Sequence, residues 1–162
     1  MIKPCLSLFL FLISTIIASD FQITVGDKAP PISLFKLDRN KYFRSKDYLG
    51  EKNLVVSFFA TWCVPCAKEI PELIKLSDEF VDDFEFILVD VNEKKNIVKK
   101  HVDEKNITLQ VVLDKYGKVF KSFGGETLPL LAVINKQGNI TYYHTGYMKG
   151  DEKKLKKHLK SL

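Results

Sequence analysis

The run NLVVSFFA, residues 53–60, carries an apolar side chain at nearly every position and is rich in β-branched and aromatic residues. A strand with one solvated face alternates apolar and polar side chains, whereas an unbroken apolar run of this length marks a strand buried on both faces. The chain must therefore cover this strand from above and below. The next segment supplies one cover: from about Pro65 to Phe80, residues Ile70, Leu73, Ile74, Leu76 and Phe80 recur at helical spacing, with Pro71 expected to kink the helix.

The rest of the chain repeats that logic. FEFILVDV reads as a second buried strand. EKKNIVKKHVDEKNI reads as an exposed helix with Ile97, Val98, His101 and Val102 turned inward. LQVVLD is short and strand-like, KYGKVFKSFGG is a short helix ended by glycines, and LLAVINKQGNITYYHTG is a hairpin with a Gly-Asn turn. Upstream, residues 21–50 read as an extended lead-in and a β-hairpin, in which Ile32, Leu34 and Leu37 alternate with polar residues and Asp38-Arg39-Asn40 makes the turn. Strands alternating with helices predict one α/β domain, a central mixed sheet flanked by helices with an N-terminal hairpin extension, over residues 20–162. No internal repeat or second domain is visible.

The formal charge of +5 over 162 residues lies largely in the C-terminal DEKKLKKHLKSL. Leu155, Leu159 and Leu162 at helical spacing favour a docked amphipathic helix with a solvated lysine face, the alternative being a basic surface that meets anionic lipid or an acidic partner. No nucleic-acid motif accompanies the charge, so nucleic acid is excluded as a partner.

Residues 1–19 differ from the rest: one lysine, an apolar run from Cys5 to Ala18, then small and polar residues. The run is shorter than the ~20 residues that cross a bilayer comfortably, which favours a secretory signal peptide over its rival, an uncleaved membrane anchor. Either places the protein outside the cytoplasm. Removing the leader removes Cys5 and leaves Cys63 and Cys66 as one pair, in a compartment that permits disulfides.

That pair sits in TWCVPC, where the buried strand hands the chain to the helix. Free N–H groups and the positive end of the helix dipole favour a thiolate at Cys63. Cys66, three positions on, can close a short disulfide and is expected to be the more shielded of the two. A reachable nucleophile with a shielded resolving thiol is what thiol–disulfide exchange needs. Pro65 fits the first turn because its missing N–H costs nothing there. A structural staple is disfavoured, since so short a loop removes little unfolded-chain entropy. A structural zinc site lacks a second cysteine pair, and His101, His144 and His158 show no paired spacing.

Trp62-Cys63-Val64-Pro65-Cys66 at a strand-to-helix junction resembles the active site of the thioredoxin superfamily. The longer pattern GDKAPPISL…LVVSFFATWCVPCAKEIPEL is similar to its exported TlpA/ResA/CcmG-like thiol–disulfide oxidoreductases. The resemblance implies a thioredoxin-like fold, with Cys63 as nucleophile, Cys66 as resolving cysteine and Trp62 as the aromatic beside the pair. It makes Pro129 the cis-proline, bringing the Leu128 backbone opposite Cys63, so that Trp62, Pro65, Leu128 and Pro129 would contact the substrate. Glu69 falls where ResA-like proteins carry an acidic residue. One helical turn beyond Cys66, it could move a proton for that thiol, or it could be an ordinary solvated glutamate. Ser57 stands where cytosolic thioredoxins carry a buried aspartate. Peroxiredoxins share the GDKAP lead-in, but their P-x-x-x-T-x-x-C pattern fails at Ala60.

The expected function is reduction of disulfides in exported proteins, in the periplasm or its equivalent. The resemblance implies the haem-site cysteines of apocytochrome c, hence cytochrome c biogenesis, as one substrate class. With no nicotinamide, flavin or metal motif, no cofactor is expected, and a membrane thiol donor would restore the dithiol to a monomeric enzyme. Two alternatives stay open: a disulfide oxidase or isomerase using the same pair, and a non-catalytic copper- or haem-handling chaperone with the cysteines as soft ligands.

Overall fold

The computed structural model describes residues 23–162, so the leader 1–19 and Cys5 lie outside the described residues. The strand that opened the sequence argument, β3 (Asn53–Phe59), is buried at all seven positions. It is an interior strand of a seven-stranded sheet whose order is β2 (Tyr42–Arg44), β1 (Ser33–Lys36), β5 (Gln110–Asp114), β4 (Phe84–Val91), β3, β6 (Leu130–Ile134) and β7 (Ile140–Thr145). Strands β4 and β5 continue parallel on one side. On the other side β6 and β7 run antiparallel as the expected hairpin. A mixed sheet results because β3, β4 and β5 are joined by helical crossovers, whereas Asn135 to Asn139 make a tight turn in which Gly138 takes φ +81°.

Pleating sends alternate β3 side chains into separate cores. Val55 and Phe59 pack with Ile70, Leu73 and Leu76 of α1 (Val64–Glu79), Val98 of α2 (Lys95–Lys105), and Leu155 and Leu159 of α4 (Asp151–Leu159). Leu54, Val56 and Phe58 face the other way, onto Phe123 beside α3 (Lys118–Ser122) and onto Ile23, Ile32 and Phe43 of the N-terminal region. Three helices cover one face and one helix plus extended chain the other. This two-sided cover is what an unbroken apolar strand requires.

The N-terminal hairpin forms from β1 and β2, and β1 joins the sheet through β5. A 3-10 turn at Ser45–Tyr48, not foreseen in the sequence, follows it. The helix α1 runs without a break through Pro71. Two inward assignments are corrected. Ile97 is 45% exposed, because α2 buries a narrow stripe centred on Val98 and Ile97 lies about 100° round the helix from it. Leu162 is 51% exposed, because α4 ends at Leu159. Among the described residues no helix is long and apolar enough to cross a membrane.

Candidate active site

Ala60, Thr61 and Trp62 carry the chain from the end of β3 into α1, and the Cys63 N–H closes this turn on the Ala60 carbonyl at 3.1 Å. Cys63 is the N-cap of α1: its extended backbone leaves the helix open, and its sulfur accepts the Cys66 N–H at 3.2 Å. A sulfur bearing negative charge would take the same bond at the positive end of the helix. Pro65 lies in the first turn, as expected. Cys63 and Cys66 are joined by a disulfide, with Cα atoms 5.3 Å apart. Cys63 is 5% exposed and Cys66 1%. The expected order of shielding holds, but both sulfurs lie low, so a partner must come close to reach Cys63. Trp62 and Val64 flank it and are 72% and 66% exposed, an apolar rim around the disulfide.

Glu69 is not a solvated helix residue. It is buried on the inward side of α1, and Ser57 Oγ donates to its Oε2 at 2.7 Å. Burial pushes the Glu69 carboxyl up to about 7, with the Asp151 charge adding to the rise and the Ser57 bond opposing it. A carboxyl held there is divided between acid and base near neutral pH, which suits proton transfer. Beside it, a cavity of about 20 Å3 between α1, β7 and α4 is lined by Glu69, Tyr142, His144, Tyr147 and Asp151. The histidines have local partners: His144 meets Asp151 at 3.2 Å, His158 meets Thr141 at 3.0 Å, and His101 packs on Phe59.

The Leu128–Pro129 peptide is cis. The next residue, Leu130, pairs with Phe58 near the end of β3, which sets Pro129 at the same end of the sheet as the cysteine turn. Leu128 packs against both cores, including the one that holds Cys63 and Cys66. Upstream, Gly125 presses against Phe120, so closely that a Cβ would stand 2.3 Å from the ring. Cys63, Cys66, Trp62, Pro65 and the Leu128-Pro129 loop therefore converge at one end of the sheet, with Glu69 beneath.

Sequence reasoning missed a second acidic group at this end. Asp90 on β4 is fully buried beside Phe59, its register partner, and neither carboxylate oxygen meets a hydrogen-bond donor. Burial first, and the neighbouring Glu93 next, push its carboxyl up to about 8. Glu93 in turn accepts from the Thr61 N–H at 2.6 Å and from Thr61 Oγ1 at 2.7 Å. The signal was present: an aspartate inside the otherwise apolar FILVDV is a charge that the strand must bury.

The family model described as Redoxin matches residues 24–159. The thiol-disulfide oxidoreductase ResA of Geobacillus thermodenitrificans is 32% identical over 141 residues, 86% of this chain and 79% of that protein. Among solved structures, a thioredoxin-family thiol:disulfide interchange protein from Chlorobium tepidum superposes with a TM-score of 0.71 at 28% identity, covering 86% of this chain and 97% of the other. The exposed lipoprotein thioredoxin of Streptococcus pneumoniae gives 0.72 at 25% identity, covering 82% and 100%. These likenesses match the thioredoxin-like arrangement expected from the motif.

Proposed function

The chain belongs to the redoxin family and is a thiol–disulfide oxidoreductase, and from that premise we propose that it acts as a reductase of disulfides in exported proteins. The observation that carries this reading is the cysteine pair at the start of α1, with its resolving member shielded and a carboxyl poised near neutral beneath it. The reduced enzyme begins with a Cys63 thiolate, which attacks one sulfur of the substrate disulfide. The S–S bond breaks, a mixed disulfide forms at Cys63, and the leaving substrate sulfur takes a proton. Cys66 then gives its proton to the Glu69 carboxylate and attacks Cys63 Sγ. The second substrate sulfur departs as a thiolate and takes the proton back from Glu69, and the Cys63–Cys66 disulfide remains. Two electrons have passed to the substrate, and a dithiol partner at the membrane returns them.

Substrate contact falls to Trp62, Pro65 and the Leu128-Pro129 backbone. The exposed indole offers an apolar platform, and an extended segment laid along residue 128 would bring its disulfide to Cys63. Export is supported by the leader composition and by the surface location in the name of the pneumococcal relative. Haem-site cysteines of apocytochromes c are the substrate class drawn from the family resemblance.

Direction is decided by the reduction potential. Equilibration of the Cys63/Cys66 pair with a glutathione redox buffer is expected to give a value near the ~−270 mV of a thioredoxin-type reductase. A value near the ~−120 mV of a strong oxidant would make the protein a disulfide donor instead.

A further inference from the structure

Glu93 has no part in the steps above, yet it makes two of the shortest hydrogen bonds at the active end of the sheet. Both go to Thr61, by backbone and side chain at once, and Thr61 is the residue immediately before Trp62-Cys63. The other ties lie at its Cys63 end, where the Cys63 N–H reaches the Ala60 carbonyl and the Cys63 carbonyl and sulfur accept from the Ala67 and Cys66 N–H groups, and Trp62 is largely in solvent. The loop from β4 to α2 is shaped to deliver Glu93. Asn92 stands in the left-handed region at φ +63°, and its N–H is tied to the Asp114 carbonyl at 3.0 Å, turning the chain back toward β3.

We propose that Glu93 is a positioning residue for the nucleophile: its two-point grip on Thr61 fixes the turn from which Cys63 meets the substrate disulfide. Buried Asp90 lies beside Glu93 and completes the device. Burial holds the Asp90 carboxyl up to about 8, so that it keeps its proton near neutral pH. A neutral Asp90 sets no like charge against the Glu93 oxygens that accept from Thr61. The other groups facing this pair are Asp114 from β5, whose oxygens are engaged by the Lys118 and Phe120 N–H groups, and His101 from α2, which packs on Phe59. On the outer side Lys94, Lys95 and Lys115 share a groove with Glu93. The inference deepens the exchange reading and rests on Cys63 being the nucleophile.

The test compares wild type, Glu93→Ala, Glu93→Gln and Thr61→Val in reduction of a model disulfide peptide, with Cys63→Ser as the control for the exchange reading itself. The Cys63 thiol is titrated in parallel by thiolate absorbance. Glu93→Ala is expected to lower kcat by roughly tenfold or more while KM stays within about twofold, because misplacing a reacting atom costs rate rather than binding. Glu93→Gln should return to within about threefold of wild type, since its amide oxygen still accepts the Thr61 N–H. If Glu93→Ala fails to fold, Thr61→Val, which removes only the hydroxyl bond, must still lower kcat severalfold. An unchanged kcat in Glu93→Ala, a Glu93→Gln as slow as the alanine variant, or an unchanged Thr61→Val where the alanine variant does not fold would overturn the proposal. Exchange that persists in Cys63→Ser would instead overturn the reading beneath it.

Discussion

Ser57 Oγ lies 2.7 Å from Glu69 Oε2, and both side chains are buried between the central strand and the active-site helix. On the strand there is a hydroxyl, and the carboxyl that it meets stands on the helix. The two residues make one unit: in the proposed mechanism Glu69 carries the proton, and the Ser57 bond favours its charged form.

Loss of the carboxyl should remove a limb from the pH profile. The wild-type rate of mixed-disulfide resolution is expected to rise with pH around 7, as Glu69 becomes able to take the Cys66 proton. In Glu69→Gln that limb disappears and the plateau falls by roughly a hundredfold. Single-turnover kinetics between about pH 5.5 and 8.5 read both effects. A limb that survives the substitution would assign it to another group.

Loss of the hydroxyl should move the limb without removing it. Ser57 donates to the charged form of Glu69, so Ser57→Ala leaves the carboxylate buried with one donor fewer. The midpoint is expected to move upward by about one pH unit, the value of ~1.4 kcal/mol of lost hydrogen bonding. A downward move would contradict the assignment.

Stability of the oxidised protein should fall as pH rises, through Asp90. Its carboxyl ionises at about 8 in the folded chain against 3.8 ordinarily, so the folded state holds the proton more tightly. The stability linked to that proton is therefore full below about 3.8 and is lost as pH climbs through about 8. Asp90→Asn should flatten that decline by up to a few kcal/mol, at ~1.4 kcal/mol per tenfold change in proton affinity. Denaturant melts at a series of pH values check this. An equally steep decline in the variant would show that Asp90 is not its source.

The terminal helix gives a contrast within one element. Leu159 is 2% exposed in the core under α4, and Leu162, just past the helix end, is 51% exposed. Leu159→Ala should cost about 2–5 kcal/mol, and Leu162→Ala no more than about 0.5 kcal/mol. Urea titrations of the two variants measure the difference, and equal losses would contradict the end of α4 at Leu159.

Most of the architecture was legible in periodicity. NLVVSFFA and FEFILVDV announce buried strands because two-faced burial leaves few polar positions to confuse the pattern, and both are interior strands here. The cysteine pair and the strand-to-helix turn were likewise readable, since each rests on a local motif, whereas the cis-proline followed from the family resemblance. What escaped depends on which face a side chain takes among neighbours distant in sequence. Whether Glu69 is solvated or buried turns on how α1 lies over β3 and α4. The pairing of Thr61 with Glu93 spans 32 residues, with α1 and β4 between them, so no local spacing encodes it. Ile97 was misplaced because four apolar or half-apolar residues in α2 fit a wide stripe, while the sheet accepts a narrow one.

The central claim is that Cys63 attacks and Cys66 resolves, and trapping the intermediate tests it most directly. Cys66→Ala and Cys63→Ser are each reduced, mixed with a disulfide-bonded peptide, acid-quenched and weighed by mass spectrometry. The account predicts a peptide adduct on Cys63 that accumulates in Cys66→Ala, and none in Cys63→Ser. An adduct that accumulates on Cys66 in Cys63→Ser, with none on Cys63 in Cys66→Ala, would contradict it.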